Sequence, residues 1–359
     1  MSTATGFAHT FSFLDRLDIS GGRLVASGWA VSLEKDPVAE LQVSIGDTIV
    51  GRTKDLTPSP DVAADWPRLP WTSSCRFLVD TPCNAEHLRR ASVPEVISVT
   101  PWIGRLPGVP LIRAWPHLTD PPTPEESNLV GGGDFLANSF LVLSLFRLLA
   151  GLRPDEAILD AGCGIGRIAY ALAHYMNDRG SYAGFDASRA FIEMARRRFG
   201  MFRNFRFEHA DIFNGMYNPA GKFRAEDFRF PYESGSFTFV FLNSVFTHMF
   251  AADVANYLRE VRRVLRDGGR CFATFFVLDK EADRLVKEGA STLAFRRALP
   301  DGCMVVDGGS DEVAVAYRPE NLLRLIASAG LRIDQTHPGL WSGRAKFLTY
   351  QDVLLLSAA

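Results

Sequence analysis

Residues 158–173 read ILDAGCGIGRIAYALA: an apolar run closes on Asp160, glycines follow at 162, 164 and 166, and a helix-forming run begins at Arg167. A strand, tight turn and helix start of this kind offers unpaired backbone N–H groups to the polar end of a nucleotide-like ligand. A second carboxylate, Asp186 in YAGFDAS, ends the next apolar run roughly 20 to 25 residues beyond the turn, where it can accept both ribose hydroxyls. A third, Asp211 in FEHADIF, comes after another such run and can accept from an adenine amino group. The lysine that a GxxxxGK phosphate loop requires is absent. The GxGxxG dinucleotide spacing also fails, because Arg167 stands where its third glycine belongs. Up to Asp186 a dinucleotide and an adenosyl nucleoside fit equally; Asp211 decides for the adenosyl ligand.

These residues need a scaffold of strands and helices. From about residue 129 the chain alternates strand-like and helix-like runs: EAILDAG, RIAYALAHYMND, YAGFDA, SRAFIEMARRRF, FRFEHADI, FTFVFLNS, ADVANYLREVRRVLRDGG and RCFATFFVLD. That alternation predicts a parallel sheet with helices on both faces. A helix over PENLLRLIASAG and strands LRIDQT and DVLLLSA complete it. Residues 1–115 have a different grammar, with short alternating runs punctuated by Gly, Pro, Asp and Ser, a hairpin turn at Gly46, and five of the six tryptophans (Trp29, Trp66, Trp71, Trp102, Trp115). They predict a small antiparallel β-sandwich, joined through a Pro-rich, acidic linker at 116–128 to the α/β domain at 129–359.

Composition narrows the function classes. A formal net charge of −2 gives no electrostatic case for nucleic acid. The most apolar helical run, residues 136–150, is interrupted by Ser144 and Arg147 and falls short of the ~20 residues that span a bilayer. Residues 1–16 lack a basic start followed by an apolar core, so no signal peptide is expected. The five scattered cysteines suggest neither a zinc site nor a disulfide framework, and a cytoplasmic setting is the expectation. No carboxylate cluster has metal spacing, and no catalytic metal is predicted.

With LDAGCGIGR, GFDAS, HADIF, SFTFVFLNSVFTHM and EVRRVLRDGGRCFATFF in this order, residues 129–359 resemble the class I S-adenosylmethionine-dependent methyltransferases. The resemblance implies a Rossmann-like doubly wound sheet and S-adenosylmethionine as cofactor. It sets Gly162, Gly164 and Arg167 along the methionine end, Asp160 near the amino group, Asp186 on the ribose, and Asp211 with Ile212 on the adenine. Ligands of open α/β sheets lie beyond the carboxyl ends of the strands. The fourth strand ends near Leu242, which puts Asn243, Ser244, Thr247 and His248 in that crevice. His248, with an unperturbed pKa of about 6.5, is the candidate base, and Asn243 the group that steers cofactor or acceptor. The competing structural readings are that His248 orders the next helix start and that Ser244 and Thr247 cap the turn. His209 and Cys163 are expected to be packing residues.

Three segments remain. Gly131–Gly133 in VGGGDF, residues 130–135, would serve as a ligand lid or a hinge, with Asp134 capping the next helix. Trp341 and Arg344 would cover the acceptor or plug the domain surface, and Tyr317 and Arg318 have a similar claim. KEADRLVKEGASTLAFRRALPDG would build acceptor specificity or present a solvated helix face. The front β-module resembles those attached to bacterial surface-glycan enzymes, which implies a saccharide or glycolipid hydroxyl as acceptor. The alternatives are a small natural product or other metabolite, and a nucleotide-binding protein without catalysis.

Overall fold

The computed structural model describes residues 6–83, 95–115, 117–131, 133–215, 217–307 and 311–359. The chain divides into two compact units, residues 1–151 with 167–177, and residues 152–166 with 178–359. Residues 1–5, 84–94 and 308–310, Pro116 of the expected linker, Gly132 of the glycine triplet and Met216 lie outside the described residues.

The first unit begins with β1 (Thr10–Ser20), β2 (Arg23–Ser32), β3 (Glu40–Ile45), β4 (Thr48–Thr53), β5 (Thr57–Pro58), α1 (Pro60–Asp65), β6 (Ser74–Pro82), β7 (Glu95–Ile103), β8 (Leu106–Pro107) and β9 (Leu111–Trp115). They form two antiparallel sheets, β1-β2-β6-β5 and β4-β3-β7-β8, with β9 on β7. The strand period of two sends alternate side chains inward, so Leu24, Ala26, Leu41, Val43, Phe77, Val79, Ile97 and Val99 share one buried core. Gly46 takes the positive φ of the two-residue turn between Ile45 and Thr48. Trp29 and Trp66 are half-buried against Phe11, with ring centroids 5.3 and 4.8 Å apart.

Among the described residues three helices complete this unit: α2 (Pro124–Asn128), α3 (Phe135–Ala150) and α4 (Arg167–Ala173). Asp134 caps α3 by accepting from the Ala137 N–H at 2.8 Å. The Pro-rich segment is not bare chain. The Thr123 hydroxyl accepts from the Glu126 N–H and so caps α2, the Leu118 N–H donates to His174 Nε2 at 2.8 Å, and the Tyr170 hydroxyl donates to the Thr119 carbonyl at 3.0 Å. His174 Nδ1 lies 2.7 Å from the Tyr170 carbonyl, so Nδ1 carries the proton and Nε2 is free to accept. Burial holds this imidazole down at about 4, which keeps it neutral for that task.

The second unit is built on β10 (Ala157–Ala161), β11 (Ser181–Asp186), α5 (Arg189–Phe199), β12 (Phe205–His209), β13 (Phe237–Leu242), α6 (Ala251–Val264), β14 (Leu265–Val277), α7 (Lys280–Lys287), β15 (Phe295–Ala298), β16 (Cys303–Val306), β17 (Val315–Tyr317), α8 (Pro319–Ser328), β18 (Leu331–His337) and β19 (Asp352–Ala358). The sheet order is β12-β11-β10-β13-β14, after which β19 and β18 continue from one stretch of β14 and β17-β16-β15 from its carboxyl end. Strands β10 to β14 are parallel, as the alternation predicts. The closing strand departs from it: β19 runs antiparallel to both β14 and β18, so the sheet is mixed. KEADRLVKEGASTLAFRRALPDG also departs from a single helix, since α7 ends at Lys287 and Phe295–Ala298 enters the sheet. Among the described residues no helix is long and apolar enough to cross a membrane.

A buried ion pair ties three central strands. Glu156, immediately before β10, accepts from Arg270 of β14 in a fork, at 2.7 and 2.8 Å, and the guanidinium lies over the Phe239 ring of β13 at 5.2 Å. Burial pulls the Glu156 carboxyl upward, but Arg270 together with the Arg153 amide and the Thr238 hydroxyl more than offsets it, and the group stays ionised, below its ordinary value. Removing one partner of such a pair strands the other charge. Arg270→Met is therefore expected to cost about 3–5 kcal/mol in urea unfolding, whereas changing both residues to apolar ones recovers much of the loss. Equal losses in the single and double variants would contradict this.

Candidate active site

The turn after β10 exists because it carries no side chains where space is short. Gly162, Gly164 and Gly166 have φ of 92°, 54° and 85°, a region that costs L-residues energy. A Cβ on Gly162 would lie 2.5 Å from Val245 Cγ2, and one on Gly166 would lie 2.4 Å from Phe199 Cε2. The Gly162 and Cys163 N–H groups donate to the Phe185 carbonyl at 2.9 and 3.0 Å, which lays the turn against the end of β11. Cys163 is buried, within contact of Gly184, and burial drives its thiol well up: it packs and is not poised as a nucleophile.

Asp186 closes the other side. Its Oδ2 accepts from the Gly164 N–H and its Oδ1 from the Ser188 N–H, both at 2.8 Å. Burial raises its pKa while those two amides oppose the rise. Each oxygen keeps a second lone pair, so the carboxylate can still take ribose hydroxyls. Asp160 sits deeper, only 2% exposed, and accepts from the Tyr182 hydroxyl at 2.7 Å. Burial, reinforced by the charge of Asp186, pushes its carboxyl up to about 8 although Tyr182 lowers it. A buried acid of this kind becomes a good carboxylate once a cation arrives beside it, which is what an amino-acid ammonium supplies.

Asp211 and Ile212 come after β12. Asp211 is already engaged: Asn218 Nδ2 donates to its Oδ1 at 3.2 Å and to the Ile212 carbonyl at 2.9 Å, and Lys222 Nζ stands 3.9 Å from Oδ2. Tyr217 packs on Phe191 at 5.4 Å, and its phenol is pushed up by burial and by the charge of Asp186. Sequence reading missed both Tyr217 and Asn218. The only signal was the NPAG turn that folds this segment back. His209 donates from Nε2 to the Ala187 carbonyl at 3.1 Å.

Arg167 opens α4 in the first unit, where its guanidinium meets the Ser127 carbonyl at 3.4 Å and lies 5.6 Å over the Phe135 ring. At the end of β13, Asn243 is half-buried and its carboxamide makes no hydrogen bond among the described residues. Ser244 and Thr247 do not cap the turn: Ser244 is exposed at a φ of 61°, and the buried Thr247 hydroxyl has no partner among the described residues. His248 is exposed and does not order the start of α6; its Nδ1 lies 2.9 Å from the Glu312 carbonyl. A carbonyl only accepts, so Nδ1 carries the proton and neutral His248 presents the Nε2 lone pair.

Trp341 proves to be core rather than cover. It is fully buried against Phe276 and Phe295, and its indole N–H donates to Asp352 Oδ2 at 2.7 Å. Arg344 is tied to Asp279, and the buried Tyr317 hydroxyl donates to the Met249 carbonyl at 2.6 Å.

Residues 152–330 match the family model described as a methyltransferase domain. That part of the chain is a methyltransferase domain, and S-adenosylmethionine is its cofactor. The backbone-lined turn, the acid at 160 and the carboxylate at 186 fit that group. Over 118 residues the chain is 36% identical to a 37.1 kDa protein carried in a transposon of Streptomyces fradiae, a match that covers 33% of this chain and 29% of that protein. The chain therefore spans less than a third of that relative's length. Among solved structures it is similar to a protein of Pyrococcus horikoshii (15% identity, TM-score 0.45, 64% of this chain and 93% of that one). It is also similar to a TehB-like methyltransferase of Corynebacterium glutamicum (15% identity, TM-score 0.39, 66% and 94%).

Asp160 makes cofactor binding testable through protons. Its raised pKa means its stabilising effect is complete below about pH 4, its unfolded value, and is lost as the pH rises through about 8. Near pH 7 the acid is mostly protonated, and an ammonium brought against it expels about one proton. Calorimetric titration with S-adenosylhomocysteine in buffers of different ionisation enthalpy should show that release, and Asp160→Asn should abolish it. Binding without proton release would separate Asp160 from the ammonium. Asp186→Ala should weaken the same titration by about ten- to a hundredfold, the value of one or two hydrogen bonds to a charged group.

Proposed function

We propose that this protein methylates a saccharide or glycolipid hydroxyl, using S-adenosylmethionine as donor and His248 as general base. The observation that carries the reading is the His248 tautomer: the Glu312 carbonyl holds the proton on Nδ1, which leaves Nε2 basic and exposed, five residues beyond Asn243.

When bound, the cofactor supplies an electrophilic methyl group on a sulfonium, open to in-line displacement. The chain's own residues hold and orient. Asp160 takes the ammonium, Asp186 the ribose, Asp211 with Ile212 the adenine, and the turn at Gly162 and Gly164 lets backbone approach the methionine end. Asn243 steers the acceptor with its paired donor and acceptor groups. His248 Nε2 receives the hydroxyl proton as the acceptor oxygen becomes the nucleophile. Orientation of this kind can supply about 7–11 kcal/mol of a barrier, and general-base help about 10²–10⁴-fold.

The saccharide assignment rests on the front β-module's resemblance and on polar groups at this edge of the sheet, where His248 and Tyr350 are exposed. His248→Ala is expected to lower turnover on a saccharide acceptor by about 10²–10⁴-fold. Affinity for S-adenosylhomocysteine should stay within about twofold, because His248 holds no part of the cofactor. Unchanged turnover would remove His248 as base and leave orientation alone. No methyl transfer across a broad saccharide panel would move the acceptor to a smaller metabolite.

A further inference from the structure

Ser244 is one of two non-glycine residues with positive φ among the described residues, and it stands at the carboxyl end of β13, inside the candidate site. A serine does not hold a left-handed conformation without support. Two contacts provide it. The Ser244 N–H donates to Thr274 Oγ1 of β14 at 2.7 Å, and Gln351, one residue before β19, donates from Nε2 to the Ser244 hydroxyl at 2.8 Å. Thr274 is buried, and Gln351 is fixed by its neighbour. Asp352 accepts from the Val277 N–H, the Gly339 N–H and the Trp341 indole, at 2.7, 2.8 and 2.7 Å.

The path of the chain beyond Ser244 depends on that conformation. Val245 is thrown against Gly162 of the cofactor turn, Phe246 stacks on Phe275 at 4.8 Å, and His248 reaches the Glu312 carbonyl. We propose that Gln351 is a positioning residue: by latching Ser244 in its left-handed conformation it aims Asn243 and His248 at the methyl-transfer point. This deepens the methyltransferase reading and rests on it. Nothing in the role requires Gln351 to touch cofactor or acceptor.

The test pairs a broken latch with two repairs in the full chain. Gln351→Leu removes the donor. Gln351→Glu keeps the contact, since the serine hydroxyl can rotate to donate to a carboxylate. In Ser244→Gly/Gln351→Leu the glycine adopts positive φ without help. Hydrogen exchange of the amides at 244–249 is read with S-adenosylhomocysteine bound, and the same titration gives its affinity. Exchange in Gln351→Leu should rise about tenfold with S-adenosylhomocysteine affinity within about twofold. On the methyl glycoside that the wild type turns over, kcat should fall by about ten- to a hundredfold at nearly constant KM. Both repairs should bring exchange and kcat back to within about threefold of wild type.

If the double variant stays as impaired as Gln351→Leu, or if exchange does not change in the single variant, the positioning role is overturned. A wild type that binds S-adenosylhomocysteine but methylates no glycoside would defeat the saccharide reading, while the exchange data would still decide the latch. An unfolded Gln351→Leu would leave Gln351→Glu and Ser244→Gly to decide: faster exchange in Gln351→Glu, or protection lost in Ser244→Gly although glycine holds positive φ unaided, would count against the latch.

Discussion

The carboxylate of Asp186 sits where two loops must meet. One oxygen takes the Gly164 N–H from the turn after β10 and the other takes the Ser188 N–H from the start of α5, each at 2.8 Å. Glycine reaches positive φ without steric cost but is equally free to leave it, and this bidentate acceptor together with the Phe185 carbonyl fixes the path of the turn. The missing side chains are then exploited twice. Val245 fills the space above Gly162 and Phe199 the space above Gly166, so the turn after β13 and the end of α5 take their positions from the same constraint.

Electrostatics sharpen the same point. Asp160 and Asp186 are both raised by burial, and the charge of Asp186 makes Asp160 harder still to ionise. Two carboxylates in a confined site favour a ligand that brings positive charge, because a cation relieves both desolvation and mutual repulsion. An adenosyl cofactor whose amino-acid end is an ammonium, and whose sulfur is a sulfonium, matches that field better than a pyrophosphate would. The charge pattern and the failed GxGxxG spacing therefore favour the adenosyl cofactor by separate arguments.

The parts of the site that were legible in the sequence are those where a backbone position dictates a residue type. Positive φ selects glycine, and the ends of parallel strands collect the carboxylates; Asp160, Gly162, Gly164 and Asp186 stand out as candidates for that reason. Asn218, Glu312 and Gln351 could not. Glu312 acts on His248 through its main-chain carbonyl, which leaves no mark on residue type, and Gln351 meets Ser244 across 107 positions of sequence. The antiparallel β19 was hidden for a similar reason: residues 338–351 separate it from β18, so no short turn announces the hairpin. Trp341 reads as a surface aromatic beside a cation, yet Phe276, Phe295 and the acceptor Asp352 enclose it from three separate stretches of chain. Local signals report local demands, and these side chains answer to topology.

Two cores in the second unit also separate two tasks. The larger gathers β10, β11, β13, β14 and α6, with Leu159, Phe185, Val240, Leu258 and Ala273 among its members, and it underlies the cofactor turn. The smaller gathers Phe276, Leu278, Ala282, Phe295, Ala316 and Trp341 around the strands inserted after β14. Packing coupling is strong within a core and weak between cores that share few atoms. The inserted strands join them, with Cys303, Val305, Val315 and Tyr317 in the larger core and Ala314 and Ala316 in the smaller. His248 takes its chain position from the turn after β13 and its ring orientation from the Glu312 carbonyl, between β16 and β17. The ring nitrogen that keeps its lone pair is thus set by the inserted part of the domain, and the glycine turn by the parallel sheet.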